Sequence, residues 1–186
     1  MDRIERAEEV IRRILGEKGR AVVAVDGRCA AGKTTFAKEL ARRLDANLIA
    51  MDDFFLPPEL RTEERLARPG GNVHYERFMR EVLEPLTAGE AFSYGVFDCG
   101  VMRVTRENRV EPRPVTVVEG SYSMHPALRA AYDLGIFLTV EPAEQRRRLL
   151  LREGEAGLRA FLEKWIPLEE RYFAACAVEE SCGLRL

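Results

Sequence analysis

The segment Gly27-Arg28-Cys29-Ala30-Ala31-Gly32-Lys33-Thr34 has the spacing G-x-x-x-x-G-K-[ST] of a phosphate-binding P-loop. Its two glycines let the backbone turn N–H groups toward a phosphate, and the following helix N-terminus adds positive potential there. Lys33 brings a full charge to the outer phosphates, and the Thr34 hydroxyl can ligate Mg²⁺. An apolar run precedes the motif and a helical pattern follows it. The sequence therefore predicts nucleotide binding.

Acidic residues stand at the ends of three apolar runs: Asp26, the pair Asp52-Asp53, and Glu119. In open α/β sheets, ligands bind outside the carboxyl ends of the strands, so these carboxylates are candidates for Mg²⁺ or proton chemistry. Asp52 is the candidate that orients an acceptor hydroxyl and takes its proton, provided that its strand neighbours the P-loop strand. The alternative is that Asp52 and Asp53 only cap a turn.

The apolar periodicity around these residues predicts a three-layer α/β/α fold with a parallel sheet of about five strands. The predicted strands are 21–26, 47–51, 115–118, 134–140 and 184–186. The predicted helices are 2–16, 33–44, 74–86, 126–132, 144–152 and 158–178, with breaks at Gly154, Gly157 and Pro167. Residues 92–105 resemble a β-hairpin outside the sheet. Residues 56–72 are longer than an ordinary connection, which indicates a functional loop. The spacing of Trp165, Tyr172 and Phe173 predicts helix packing in the core.

The 186 residues fit one domain, 1–186, with 46% hydrophobic and 32% charged residues and a net charge of −2. This balance points to no nucleic-acid partner, and no apolar run is long enough for a membrane span. We expect a cytoplasmic protein with a small-molecule partner, and a homo-oligomer stays open. Its four cysteines are scattered, so they are expected to be free thiols. We hypothesise that oxidation or alkylation of Cys29 blocks nucleotide binding.

Four segments resemble the uridine kinase family of P-loop nucleoside kinases, to which phosphoribulokinase and bacterial pantothenate kinase are related. They are Val25-Asp26-Gly27 leading into the P-loop, Met51-Asp52-Asp53-Phe54-Phe55, Phe97-Asp98, and Val118-Glu119-Gly120-Ser121-Tyr122. The resemblance runs in order from about residue 21 to the C-terminus. It implies phosphorylation of a small-molecule hydroxyl, most directly that of a nucleoside, with ATP and Mg²⁺ as cofactors.

The resemblance also implies roles for individual residues. Asp52 matches the catalytic carboxylate, with Lys33 beside it, and Thr34 and Glu119 match the Mg²⁺ ligands. Phe55, Phe97 and Asp98 match substrate-facing positions, and His74 lies near a substrate-facing segment. The nucleotide-binding set consists of Gly27, Arg28, Cys29, Ala30, Ala31, Gly32, Lys33, Thr34, Thr35, and the clamp arginines Arg148 and Arg152 of a short lid at about 152–158.

The chain departs from the family where uridine kinases read the base. Cys99-Gly100-Val101-Met102 stands where the family has an aromatic residue and a His. Two alternatives therefore remain open. One is a kinase for another small hydroxyl metabolite, such as a sugar or a vitamin. The other is a regulatory P-loop ATPase that acts through a protein partner. No acceptor would stimulate its hydrolysis of ATP.

Overall fold

A five-stranded parallel sheet forms the centre of the computed structural model, which describes residues 2–186. The strands along the chain are β1 (Ala21–Gly27), β2 (Asn47–Ala50), β3 (Phe92–Asp98), β4 (Arg103–Val110), β5 (Val115–Glu119), β6 (Leu134–Leu138) and β7 (Leu184–Arg185). The main sheet has the order β2-β5-β1-β6-β7, and every pair in it is parallel. β3 and β4 form a separate antiparallel hairpin. The hairpin lies outside the sheet as predicted, but its second strand extends past residue 105 to Val110.

Helices cover both faces of this sheet. They are α1 (Arg3–Lys18), α2 (Lys33–Leu44), α3 (Glu63–Ala67), α4 (75–88), α5 (Pro142–Ala160), α6 (Ile166–Ala175) and α7 (Val178–Ser181). α1 and α2 pack on one face. α4, α6 and the hairpin pack on the other face. The predicted three-layer α/β/α arrangement is therefore confirmed. Within residues 2–186, no helix is both long and apolar enough to cross a membrane.

The alternation of side chains along β1 divides the core in two. Val23 and Val25 point into the cluster that contains Ile11 and Leu40. Ala24 points into the opposite cluster, which contains the fully buried Tyr172. All seven residues of β1 are buried, as expected for a parallel strand covered on both faces. This burial fixes the end of β1, and with it the start of the P-loop.

Two predictions of helical structure are wrong, and a third is confirmed in part. α1 continues through Gly16 to Lys18 and ends at Gly19. Residues 126–132 form turns and a short 3₁₀ segment, Arg129–Ala131, rather than an α-helix. The predicted break at Gly154 is confirmed by its non-helical backbone (φ 71°, ψ −176°), whereas Gly157 is helical, and the expected lid at 152–158 lies within α5 around this kink. A single helical glycine costs about 1 kcal/mol relative to alanine, which packing can offset.

Two prolines sit inside continuous helices because a π-helical segment precedes each one. The segment Met79–Leu83 comes before Glu84-Pro85 in α4. The segment Phe161–Trp165 comes before Ile166-Pro167 at the start of α6. Proline lacks an N–H and crowds the carbonyl four residues earlier, and the wider π turn relieves that crowding. The predicted break at Pro167 is therefore absent, and the helix ends at Ala175 instead.

Candidate active site

The ends of three adjacent strands bring the predicted chemistry together. β5 lies between β1 and β2, and Glu119 is in register with Val25 on one side and Ala50 on the other. The P-loop begins two residues beyond Val25, and Asp52 lies two residues beyond Ala50. The strand of Asp52 is thus not the direct neighbour of the P-loop strand. Instead, Glu119 lies between the P-loop and Asp52, where the carboxyl ends of the parallel strands meet.

A cleft of about 1220 Å³ opens over these strand ends. Most of the predicted site residues line it: Cys29, Ala30, Gly32, Lys33, Thr34, Thr35, Asp52, Phe55, Glu119, Arg148 and Arg152. Gly27, Arg28 and Ala31 belong to the same loop but do not line the cleft. A methyl group added at Gly27 (φ 131°) would lie 2.0 Å from the Leu138 carbonyl oxygen, so only glycine fits where β1 turns into the loop.

Helix α5 and the lysine of the motif hold the P-loop in shape. The Lys33 ammonium donates to the carbonyls of Gly27 (2.6 Å) and Arg28 (3.1 Å). From α5, Gln145 donates to the Cys29 carbonyl and Arg148 donates to the Ala30 carbonyl, both at 3.0 Å. These contacts satisfy the loop carbonyls. The amides of Gly27, Arg28, Cys29 and Ala31 donate to acceptors within the protein, so the amides at the start of α2 are the ones most open to an anion.

Thr34 and Glu119 form a pair of oxygen donors that fits a small hard cation. The Thr34 hydroxyl donates to Glu119 Oε1 at 3.0 Å, at the first turn of α2. Burial raises the pKa of Glu119, and the Thr34 hydroxyl and Lys33 oppose that shift. Across residues 2–186 no group of three or more His, Cys, Asp or Glu side chains is placed to hold a metal. Mg²⁺ typically takes one or two protein ligands, with water and phosphates completing its shell, so this pair is chemically sufficient.

The two adjacent aspartates have different surroundings. Asp52 lies in the 3₁₀ turn Met51–Phe54 and faces the cleft. Desolvation by the cleft walls raises its pKa, which Lys33 lowers and Glu169 raises further. Asp53 instead accepts a hydrogen bond from the Tyr94 hydroxyl at 3.1 Å, so it ties the turn to the hairpin. A carboxylate that faces the cleft with a raised pKa is suited to proton transfer.

The loop 56–72 forms an ordered wall of the cleft. It is closed at its base, where Phe55 bridges Val73 and the His74 amide donates to the Phe54 carbonyl at 2.7 Å. Arg65 lies inside the loop and donates to the carbonyls of Gly71 and Val73, both at 2.9 Å. The loop contributes six residues to the wall: Arg61, Leu66, Arg68, Gly70, Gly71 and Asn72.

Three predicted substrate residues do not line the cleft. Phe97, in strand β3 of the hairpin, is buried, and the Asp98 carboxylate accepts a hydrogen bond from the Gly100 amide at 2.7 Å in the hairpin turn. His74 is half-buried at the start of α4, where burial lowers its pKa. Cys99 and Met102, from the tip of the hairpin, line the cleft instead. The motif identified the hairpin correctly, but the direction of its side chains depends on how the hairpin packs.

The structure adds residues from α6 and its π segment that the sequence did not single out. Glu169 is buried, accepts a hydrogen bond from the P-loop amide of Cys29 (3.0 Å), and accepts another from the Ser121 hydroxyl (2.6 Å). Trp165, predicted to be core, lines the cleft, whereas Tyr172 and Phe173 are buried as predicted. No local pattern marks Glu169, because its partners are 48 and 140 residues away in the chain.

The thiol of Cys29 is placed unfavourably for reaction. It is buried, and desolvation, with the nearby Glu169 carboxylate, raises its pKa to about 12. Reactive cysteines depend on their thiolate form, which is scarce here at neutral pH. This environment argues against the hypothesis that Cys29 is a site of ready oxidation or alkylation. The four cysteines are all free thiols, as expected.

Comparisons with known proteins give relatives over most of the chain. No family model matches it. A uridine kinase from Chloroflexus aurantiacus is 28% identical over 142 residues, which are 71% of this chain and 67% of that protein. A uridine kinase from Clostridium perfringens is 25% identical over 141 residues, 70% of this chain and 67% of that protein.

Solved structures share the whole fold at low identity. A protein from Bacillus stearothermophilus described as a possible uridine kinase has a TM-score of 0.73 at 17% identity, over 100% of both chains. A proposed fructose transport system kinase from Silicibacter sp. has a TM-score of 0.69 at 24% identity, over 96% of this chain and 98% of that chain. Fold and relatives together define a P-loop kinase. Within that class, the curated relatives confirm the resemblance to the uridine kinase family.

Proposed function

We propose that this protein transfers the γ-phosphate of ATP to a hydroxyl group of a small molecule, with a nucleoside as the first candidate acceptor. The observation that carries the proposal is the meeting of the P-loop, the Thr34–Glu119 pair and Asp52 at three adjacent strand ends of one cleft. Phosphoryl transfer needs these three parts: a phosphate cradle, a metal site and a group that handles the acceptor proton.

Each part has a distinct task. The amides of the P-loop hold the phosphate chain, and Lys33 neutralises its outer end. Arg148 and Arg152 reach the same cleft from α5 and add positive charge where the transferred phosphate is most negative. Thr34 and Glu119 would hold Mg²⁺, which supplies charge neutralisation and orients the phosphates when bound.

Asp52 would orient the acceptor hydroxyl and accept its proton. It lies across Glu119 from the P-loop, so an acceptor that contacts Asp52 meets the outer end of a nucleotide held by the loop. Its raised pKa brings its basicity closer to neutral pH than that of an ordinary aspartate, which favours proton transfer.

A second class of acceptor is favoured by the charge of the cleft wall. Arg61 and Arg171 line the cleft outside the predicted nucleotide-binding set, as does Arg68, whose guanidinium pairs with Glu64. In the part of the chain that the structure describes, the only hydrogen bond from the Arg61 guanidinium runs from Nε to the Leu56 carbonyl (2.8 Å), so both terminal nitrogens are available. This wall suits a hydroxyl compound that also carries a carboxylate or phosphate, whereas the curated relatives named uridine kinase support a nucleoside.

The test is ADP release from ATP and Mg²⁺ across nucleosides, sugars, vitamins and their phosphorylated or carboxylated counterparts, with Lys33→Ala as the blank. Stimulation by one class assigns the acceptor, and stimulation by none favours the regulatory ATPase. With the active acceptor, Asp52→Asn should lower kcat about 10²-fold or more while nucleotide affinity changes less than about twofold. Asp53→Asn is the matched control, because Asp53 is bound to Tyr94 rather than facing the cleft. A kcat for Asp52→Asn within a few-fold of the parent would show that the base assignment is wrong.

A further inference from the structure

Glu169 is a buried carboxylate in the active-site cleft for which phosphoryl transfer has no evident use. It is 6% exposed, lines the cleft and comes from α6 rather than from a strand end. One oxygen accepts from the Cys29 amide at 3.0 Å and the other accepts from the Ser121 hydroxyl at 2.6 Å. A negatively charged side chain is therefore bound to an amide of the loop whose amides serve phosphate.

Glu169 lines the cleft together with Lys33 and Asp52, the groups expected to meet the outer end of a bound nucleotide. Its charge acts on Asp52 and on the Cys29 thiol, and Lys33 acts on the same two groups. Lys33 reaches the outer phosphates in a P-loop, and Asp52 is the group proposed to hold the acceptor. We therefore expect a carboxylate among these groups to meet a γ-phosphate rather than an α- or β-phosphate.

We propose that Glu169 competes with the γ-phosphate for the Cys29 amide and thereby lowers the affinity for ATP relative to ADP. The inference rests on the proposed function, since it requires that ATP binds this loop. The Cys29 N–H is a single donor and cannot bind two anions well. A carboxylate and a phosphate that approach the same N–H also repel each other. A nucleotide with a γ-phosphate must displace Glu169, and ADP need not.

Neighbouring contacts would hold helix α6 in place while the Glu169 side chain is displaced. Glu170, the next residue of α6, pairs with Arg28 of the loop at 2.8 and 3.2 Å. Tyr172 donates to the Asp26 carboxylate at 2.9 Å, which holds α6 to the end of β1. Ser121 donates to the carboxylate oxygen of Glu169 that does not bind the Cys29 amide. Loss of the Cys29 contact therefore leaves α6 attached to the P-loop strand.

The test is the ratio of Kd values for ADP and a non-hydrolysable ATP analogue, measured by calorimetry with Mg²⁺. Glu169→Gln keeps the size of the side chain and one acceptor oxygen, and removes its charge. We expect it to tighten binding of the ATP analogue about tenfold and that of ADP less than about twofold. Glu163→Gln is the control, because Glu163 lines the same cleft in an exposed position and should leave the ratio unchanged.

A second variant tests the opposite direction and does not depend on the folding of the first. Ser121→Ala removes the partner that would still bind Glu169 after the Cys29 contact is lost, so displacement of Glu169 becomes less favourable and the affinity for the ATP analogue should fall relative to ADP. The inference is overturned if Glu169→Gln leaves the ratio of the two Kd values as it is in the parent, or strengthens binding of ADP relative to the ATP analogue. The kinase proposal then still stands. If Glu169→Gln does not fold, the inference is overturned when Ser121→Ala leaves the ratio of the two Kd values unchanged or strengthens binding of the ATP analogue relative to ADP. A parent that binds neither nucleotide refutes both.

Discussion

The hydroxyl of Tyr172 should stabilise the fold by solvating a buried charge. The Asp26 carboxylate is fully buried and accepts three hydrogen bonds, from the amides of Gly27 (2.7 Å) and Met124 (2.9 Å) and from the Tyr172 hydroxyl (2.9 Å). All three partners donate to it, so the arrangement favours the ionised form, although burial raises the pKa of Asp26. Tyr172→Phe removes one donor of the three and leaves the ring packing intact.

The expected loss is about 2 kcal/mol, because a hydrogen bond to a charged group contributes about 1.5–3 kcal/mol. In a chain of this length that corresponds to a Tm lowered by about 4–8 °C. The effect should depend on pH with a defined sign. The hydroxyl stabilises the ionised form of Asp26, so its contribution is present at high pH and is lost as the pH falls through the raised native pKa.

The assay is urea unfolding of the parent and the variant between about pH 8 and pH 5, followed by far-UV circular dichroism. Tyr132→Phe is the matched control: its hydroxyl is buried without a hydrogen-bond partner among residues 2–186, so its removal should be neutral or slightly stabilising. A Tyr172→Phe protein as stable as the parent at pH 8, or a difference that grows as the pH falls, would refute the assigned role of Asp26.

Two further predictions concern the backbone of the P-loop and the half-buried imidazole of His125. Gly27→Ala places a methyl group 2.0 Å from the Leu138 carbonyl at a φ of 131°, so we expect a loss of about 3 kcal/mol or more in the free energy of unfolding, measured in urea. Burial lowers the pKa of His125 to about 4, and its Nδ1 accepts from the Ala127 amide. Between about pH 6.5 and 4 the unfolded chain therefore binds a proton that the native protein does not. The stability of the parent relative to His125→Gln should fall by up to about 3 kcal/mol over that range, and an unchanged difference would contradict the lowered pKa.

Local sequence determined most of the elements that carry the site. The P-loop, its strand and helix α2 follow from glycine positions and apolar spacing within a span of 24 residues, 21–44, and the structure has the helix as predicted. The acidic ends of the strands could be found in the same way, because the residue after an apolar run lies at the edge of a parallel sheet. Boundary errors occurred at Gly16, Gly157 and Pro167, where packing or a π turn overrides local preference.

Tertiary structure decided how those parts meet. Only the strand order places Glu119 between the P-loop and Asp52, since nothing local fixes which strands are neighbours. The packing of the hairpin turns Phe97 inward and brings Cys99 to the cleft. Glu169 meets the Cys29 amide across 140 residues of chain. Sequence periodicity reports which side of an element is buried, whereas the contacts that define this cleft are made by folding distant segments together.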